Sequence, residues 1–229
     1  MALIPPFLAI LSGCVDSQTS GAADVIFADV HGLAVDPNDR SILYVATHHG
    51  LFRGVNDAAW SKVGAQTLDL MGFTMHPTQP SVMYASGHPG GMSRDDWAIG
   101  VVKSTDGGKT WQTMALKNEV DFHAMTISLA SPETVWGHYY RNQRVYESVD
   151  GGLTWMDFAP QAPPPQIAAI ASHAMEEETV FAGTSDGVWV SRDAGHEWVK
   201  LPGSQPGGPA GALATSKANE DLVWAFFPS

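Results

Sequence analysis

The sequence predicts an all-β protein, a β-propeller of four-stranded blades with four full blades and a partial fifth. Three observations predict it. An eight-residue pattern, S-x-D-x-G-x-x-W, recurs as Ser104-Thr105-Asp106-Gly107-Gly108-Lys109-Thr110-Trp111, as Ser148-Val149-Asp150-Gly151-Gly152-Leu153-Thr154-Trp155 and as Ser191-Arg192-Asp193-Ala194-Gly195-His196-Glu197-Trp198, with a decayed copy over 54–60. The aromatics Tyr44, Tyr84, Trp136, Phe181 and Trp224 stand 40, 52, 45 and 43 residues apart, and each follows His31, Met71, His123, Ala168 or Gly211 by 13 residues. That spacing is the period of a four-stranded blade. Finally, short β-rich runs punctuated by Gly, Pro, Asn and Asp dominate, and helical periodicity is weak.

The repeated pattern has its own chemistry. An Asp carboxylate accepts hydrogen bonds from N–H groups just ahead of it, and Gly takes the positive φ of a tight hairpin. The Trp anchors the returning strand by burying a large ring. A residue that holds a turn in every repeat reads as a clamp, so Asp106, Asp150 and Asp193 are structural and not catalytic.

In chain order, blade one takes its inner strand from 32–35, a turn at Asp36-Pro37-Asn38-Asp39, a second strand at 42–47 and a third at 51–54. Blade two repeats this at 72–75, 82–86 and 100–104, blade three at 124–128, 134–137 and 145–148, and blade four at 169–172, 180–183 and 188–191. The repeated hairpins join third strands to fourth, and the proline-rich stretch 160–165 crosses from blade three to blade four. Blade five has 212–215 and 222–226 but neither hairpin nor outer strand, as though shortened at its C-terminal side. The segment 25–30 is placed to contribute a closing strand, and the missing outer strand leaves an unpaired edge. The blades thus run about 31–63, 71–114, 122–158, 167–201 and, in part, 210–229, within a propeller domain over 24–229.

The 229 residues carry 12 Lys and Arg against 24 Asp and Glu, a net charge of −12. With no basic run, nucleic acid is excluded as a partner. Cys14 is the single cysteine, so an intrachain disulfide is excluded too. Residues 1–14 end in Leu11-Ser12-Gly13-Cys14 and read as an export signal with a lipobox, although 1–7 lack the usual Lys or Arg. Cys14 is the expected lipidation site, followed by a polar tether over 15–23. The expected location is outside the cytoplasm at a bacterial envelope, with membrane contact only through the lipid anchor.

A propeller gathers function at one end of its axial channel, where inner strands begin and second strands connect to third. Six of the nine histidines map there. His31 and His123 start inner strands, His48, His49 and His88 fall in second-to-third connections, and His138 ends a second strand. His76 and His173 fall at the opposite end, and His196 lies within a repeated hairpin. Met71 is equivalent in position to His31 and His123. Converging imidazoles suit a transition metal, Zn or Cu, and the thioether of Met71 tilts the choice toward copper. The predicted metal set is therefore His31, His48, His49, His88, His123 and Met71, with strand-start histidines that merely hydrogen-bond in the channel as the alternative. Over the same face an enlarged loop, 87–99, carries Asp95, Asp96 and Trp97. These could grip a sugar ring or a small polar ligand together with His138, or form a solvated loop tip.

The S-x-D-x-G-x-x-W copies resemble the Asp-box (BNR) repeat of sialidase-like β-propellers. More narrowly, His31-Gly32-Leu33-Ala34-Val35-Asp36-Pro37, Leu43-Tyr44-Val45-Ala46-Thr47-His48-His49-Gly50-Leu51-Phe52, Met71-Gly72-Phe73-Thr74, Ala85-Ser86-Gly87-His88-Pro89 and Asp121-Phe122-His123-Ala124 are similar to an exported bacterial group of BNR-repeat proteins commonly labelled glycosyl hydrolases. The His-rich face points to a binding propeller that recognises a metal or small polar ligand or docks an envelope protein; the resemblance implies two alternatives, a glycoside hydrolase acting on a glycan and an assembly factor similar to the BNR-type propellers of photosystem II. A sialidase would need three arginines around the substrate carboxylate. The six arginines leave only Arg94, Arg141 and Arg144 for that face, two of them in one loop, so a triad drawn from separate blades is not expected.

Overall fold

The computed structural model describes residues 27, 29–56, 59–91, 95–161, 163–204 and 209–227. The expected signal, Cys14 and tether therefore lie outside the described residues, as do 25, 26 and 28 of the expected closing strand. Four antiparallel four-stranded sheets form the blades. The first is β1 (Val30–Val35), β2 (Ile42–Thr47), β3 (Gly50–Val55) and β4 (Ser61–Val63); the second is β5 (Leu68–Met75), β6 (Met83–Pro89), β7 (Gly100–Ser104) and β8 (Gln112–Ala115). The third is β9 (Ala124–Ile127), β10 (Val135–Tyr139), β11 (Arg144–Ser148) and β12 (Met156–Phe158); the fourth is β13 (Ala169–Ser172), β14 (Val180–Thr184), β15 (Gly187–Ser191) and β16 (Val199–Lys200). A two-stranded sheet, β17 (Ala212–Ser216) with β18 (Asn219–Phe226), follows as the partial fifth blade. Inner strands follow one another, β1 against β5, β5 against β9, β9 against β13 and β13 against β17.

Three local devices repeat and explain why these residues form blades. In the hairpins after the third strands of blades two to four, beginning with blade two, the Ser104 hydroxyl accepts the Gly108 N–H at 2.8 Å and donates to Asp106, whose carboxylate accepts the Thr110 N–H at 2.9 Å. Ser148, Asp150, Gly152 and Thr154 copy it, and Ser191, Asp193, Gly195 and Glu197 copy it again. The Thr110 backbone N–H and hydroxyl hold the Asp106 carboxyl down at about 2, and the Thr154 hydroxyl and N–H do the same for Asp150, also at about 2. At the turn after the inner strand, Asp36 accepts N–H groups of Asn38 and Asp39. In the second and fourth blades a histidine takes that place: His76 Nδ1 accepts from Thr78 and Gln79, and His173 Nδ1 from Met175 and Glu176. The third device is a hydroxyl stitch between inner strands. Thr74 accepts the Ile127 N–H, Ser172 donates to the Ile127 carbonyl, and Thr215 donates to the Ser172 carbonyl.

The core lies between blades. Tyr44, Ala46 and Leu51 of the first meet Leu70, Phe73 and Met83 of the second; Tyr84 and Val101 of the second meet Phe122, Met125 and Ile127 of the third stretch. Burying such rings and branched chains contributes roughly 1.5–3 kcal/mol apiece. Crowding at the axis demands small residues: a Cβ at Gly72 would stand 2.6 Å from the Phe122 carbonyl oxygen of the next blade. At the two ends of the series the sheet faces are open, with Leu33 and Val35 of β1 and Leu222, Trp224 and Phe226 of β18 all exposed.

The predicted strands hold, and two corrections bear on the axial end of the first two blades. Val30 opens β1 and pairs with Thr47, so it belongs to the first inner strand. And β5 with β6 continue four residues and three residues beyond the expected 72–75 and 82–86, past a bulge at Met71, so that Asp69 and His88 become direct cross-strand partners. The extra bulge residue absorbs a register shift that pattern reading treats as the strand's start. A matching bulge at His31 interrupts β1.

Candidate functional site

The two bulges lie at His31 near the start of β1 and at Met71 within β5, and the residues around them form one continuous ladder of carboxylates and imidazoles. Asp29, just before β1, lies 3.6 Å from Nε2 of His48, whose Nδ1 stands 2.7 Å from Oδ2 of Asp69. The same Asp69 oxygen meets His88 Nδ1 at 3.3 Å; His88 Nε2 meets Asp121 Oδ2 at 3.1 Å, and His123 Nε2 meets it at 2.9 Å. The ring of His31 stands edge-on to that of His48, centroids 4.5 Å apart. Blades one and two and the approach to blade three each contribute a carboxylate and at least one imidazole.

The ladder is not satisfied internally. Of four buried side-chain polar atoms without a partner among the described residues, three belong to it: His31 Nε2, Asp69 Oδ1 and Asp121 Oδ1. Leaving such atoms unpaired costs about 1–3 kcal/mol each, more when charged. The Asp121 side chain is 1% exposed and shares one oxygen between two imidazoles. His88 faces a carboxylate with both ring nitrogens, yet a neutral imidazole has only one N–H to give. Burial, reinforced by the neighbouring His48, pushes the His31 imidazole below its ordinary range and so favours the neutral ring, one of whose two nitrogens carries a lone pair. One donor atom each from His31, His48 and Asp69 lie within 4.8 Å of one another, a mixed nitrogen and oxygen set of the kind that holds a divalent transition metal.

Of the remaining predicted residues, His49, Asp96 and Trp97 line the cavity beside the ladder, whereas Met71 and His138 are buried. His49 is exposed. Met71 is the bulge residue of β5, buried at 9% exposure. His138, within β10 because that strand runs to Tyr139, is only 3% exposed, and burial pushes its imidazole down to about 4. Asp96 pairs with Lys117 at 2.8 Å and accepts from Asn118, which also donates to the Asp95 carbonyl. The ring of Trp97 lies beneath the Arg141 guanidinium at 5.4 Å. Arg144 is bound to Asp157, and Arg94 lies outside the described residues.

Sequence reasoning passed over Asp69 and Asp29 and the place of Asp121 between His88 and His123. A signal was present. In the repeat register Asp29, Asp69 and Asp121 each stand two residues before His31, Met71 and His123, so D-x-H, D-x-M and D-x-H mark three successive blades.

Beside the ladder opens a cavity of about 720 Å³ lined by His48, His49, Asp69, His88, Trp97 and Arg141 among others. A second, of about 550 Å³, runs along the axis between His31, His123 and the faces of β17 and β18.

No protein-family model matches the chain, and no curated protein matches it. Solved structures do. A GH74 enzyme from Niastella koreensis aligns with a TM-score of 0.64 at 15% identity over 84% of this chain and 32% of its own. The GH74 xyloglucanase from Xanthomonas campestris aligns at 0.54 and 18% identity over 79% of this chain and 31% of its own. A gluconolactonase from Xanthomonas campestris aligns at 0.62 and 15% identity over 86% of this chain and 69% of its own. The chain thus spans a third or less of the GH74 chains it matches. At these identities the likeness is one of fold, and the fold the chain shares with them is the β-propeller.

Proposed function

We propose that this propeller is an exported metal-binding protein, anchored through Cys14, that holds a divalent transition ion, Zn or Cu, at the axial end of its first three blades. His31, His48 and Asp69 would be the ligands. His88, Asp121 and His123 would orient them from the neighbouring blade, as carboxylates and imidazoles behind metal ligands do. The observation that carries the reading is that two of the three residues of one donor cluster, His31 and Asp69, each keep a buried, unpartnered atom, Nε2 and Oδ1. A cation there removes both unsatisfied positions and part of the repulsion among Asp29, Asp69 and Asp121. Zn or Cu bound there would supply a Lewis-acidic centre, and Met71, in the adjoining bulge, keeps copper in view. A glycoside hydrolase reading rests on likeness of fold, which unrelated activities share.

The test is metal content after chelation and reloading, by equilibrium dialysis and elemental analysis. The expected result is one Zn per chain, weakened ~10-fold or more in His48→Ala and Asp69→Asn and unchanged in His173→Asn at the opposite end. Equal uptake by all four proteins, or none by the parent, would refute it.

A further inference from the structure

Resting on that metal reading, we infer that the cavity of about 720 Å³ beside the ladder takes a small carboxylate ligand, which reaches the metal with one end and Arg141 with the other. The cavity has the size of a small-molecule site. Its wall is shared with the ladder through His48, Asp69 and His88, so an occupant borders the metal ligands directly.

The opposite wall is built around one cation. Arg141 leaves the β10–β11 connection of blade three and crosses to blade two, where its guanidinium lies over Trp97 at 5.4 Å. Its Nε donates to the Tyr140 hydroxyl at 3.1 Å, and Tyr140 in turn packs on His123 with centroids 4.9 Å apart. Ring faces and the Tyr140 hydroxyl thus fix its plane. Among the described residues no carboxylate pairs with Arg141, as none pairs with Arg40, Arg53, Lys62 or Lys103, but of these Arg141 alone lines the cavity. Its terminal N–H groups accordingly have no acceptor there, and a planar guanidinium with free donors matches a carboxylate in paired geometry.

The sign of the field makes the ligand conditional on the ion. Without metal, an anion in this cavity faces Asp69 and Asp96 against one guanidinium. A divalent cation at the ladder reverses that balance and offers a coordination partner for a carboxylate or an adjacent hydroxyl. Thr67 and His49 add hydrogen-bonding groups for a hydroxylated chain. Anion and cation therefore bind cooperatively.

Calorimetric titration with D-gluconate and with succinate tests this on chelator-treated and on Zn-loaded protein. The expected result is binding of at least one of them to the Zn-loaded form only, weakened ~10-fold or more in Arg141→Gln and partly restored in Arg141→Lys, with Zn stoichiometry the same in all three proteins. Binding of equal strength without Zn, or equal strength in Arg141→Gln, would overturn the inference. Zn uptake with no carboxylate binding would overturn it while leaving the metal reading intact, whereas absence of Zn uptake would remove both.

Discussion

His138 shows what one buried imidazole does to the whole chain. Its folded value of about 4 lies below the ordinary 6.5 because burial disfavours the charged ring. Above pH 6.5 both folded and unfolded forms are neutral and the group is indifferent. As pH falls from 6.5 toward 4 the unfolded chain takes up a proton that the folded one refuses, so stability drops, by about 3 kcal/mol in all, and levels below 4. The carboxyls of Asp106 and Asp150, held at about 2 from an ordinary 3.8, give their stability above 3.8 and lose it between 3.8 and 2, a separate window. Denaturant titrations from pH 7 to pH 4 are therefore expected to lose slope in His138→Gln relative to the parent, and parallel curves would refute the assignment. The repeated hairpin residues were legible one by one in the sequence, because each bond there spans four residues or fewer. Burial of His138 was not, since its strand had to run on to Tyr139 before the ring faced inward.

At the scale of a single turn, His76 and His173 act as Asp36 does, by accepting two N–H groups with a ring nitrogen. This requires the neutral tautomer protonated at Nε2, in keeping with the His76 imidazole being pushed below its ordinary range by burial. His76→Asp is thus expected to keep the turn, and His76→Ala to lose about 1 kcal/mol or more, since two backbone donors are left without their acceptor. Thermal unfolding of both variants separates this from a simple packing role, which Asp would not rescue. Strand positions followed from period and turn residues throughout; the bulges at His31 and Met71 did not. Bulges trade one unpaired residue for a change of register, a cost decided by what the opposite strand offers. Here the change lengthens β5 and β6 until Asp69 and His88 stand side by side.

For the molecule as a whole, the ladder links blade one, blade two and the start of blade three, so an ion at His31, His48 and Asp69 would tie blades that otherwise meet through apolar contact and hydroxyl stitches. An ion at a hundredfold excess over its dissociation constant adds about 2.7 kcal/mol to folding, roughly 5 °C or more in melting temperature for a chain of this size. Zn is expected to raise the melting temperature of the parent and not of His48→Ala; an equal rise in both would place the ion elsewhere.

The sequence by itself determined the all-β class, the blade period, the clamped hairpins and the address of four of the ladder's imidazoles, because each depends on contacts between near neighbours or on repetition. Only the tertiary structure decided which oxygens stand between those imidazoles, that Arg141 reaches across a blade boundary to Trp97, and that His138 turns away from solvent. Those are consequences of strands brought together from 19 or more residues apart, where a single bulge sets which side chains meet.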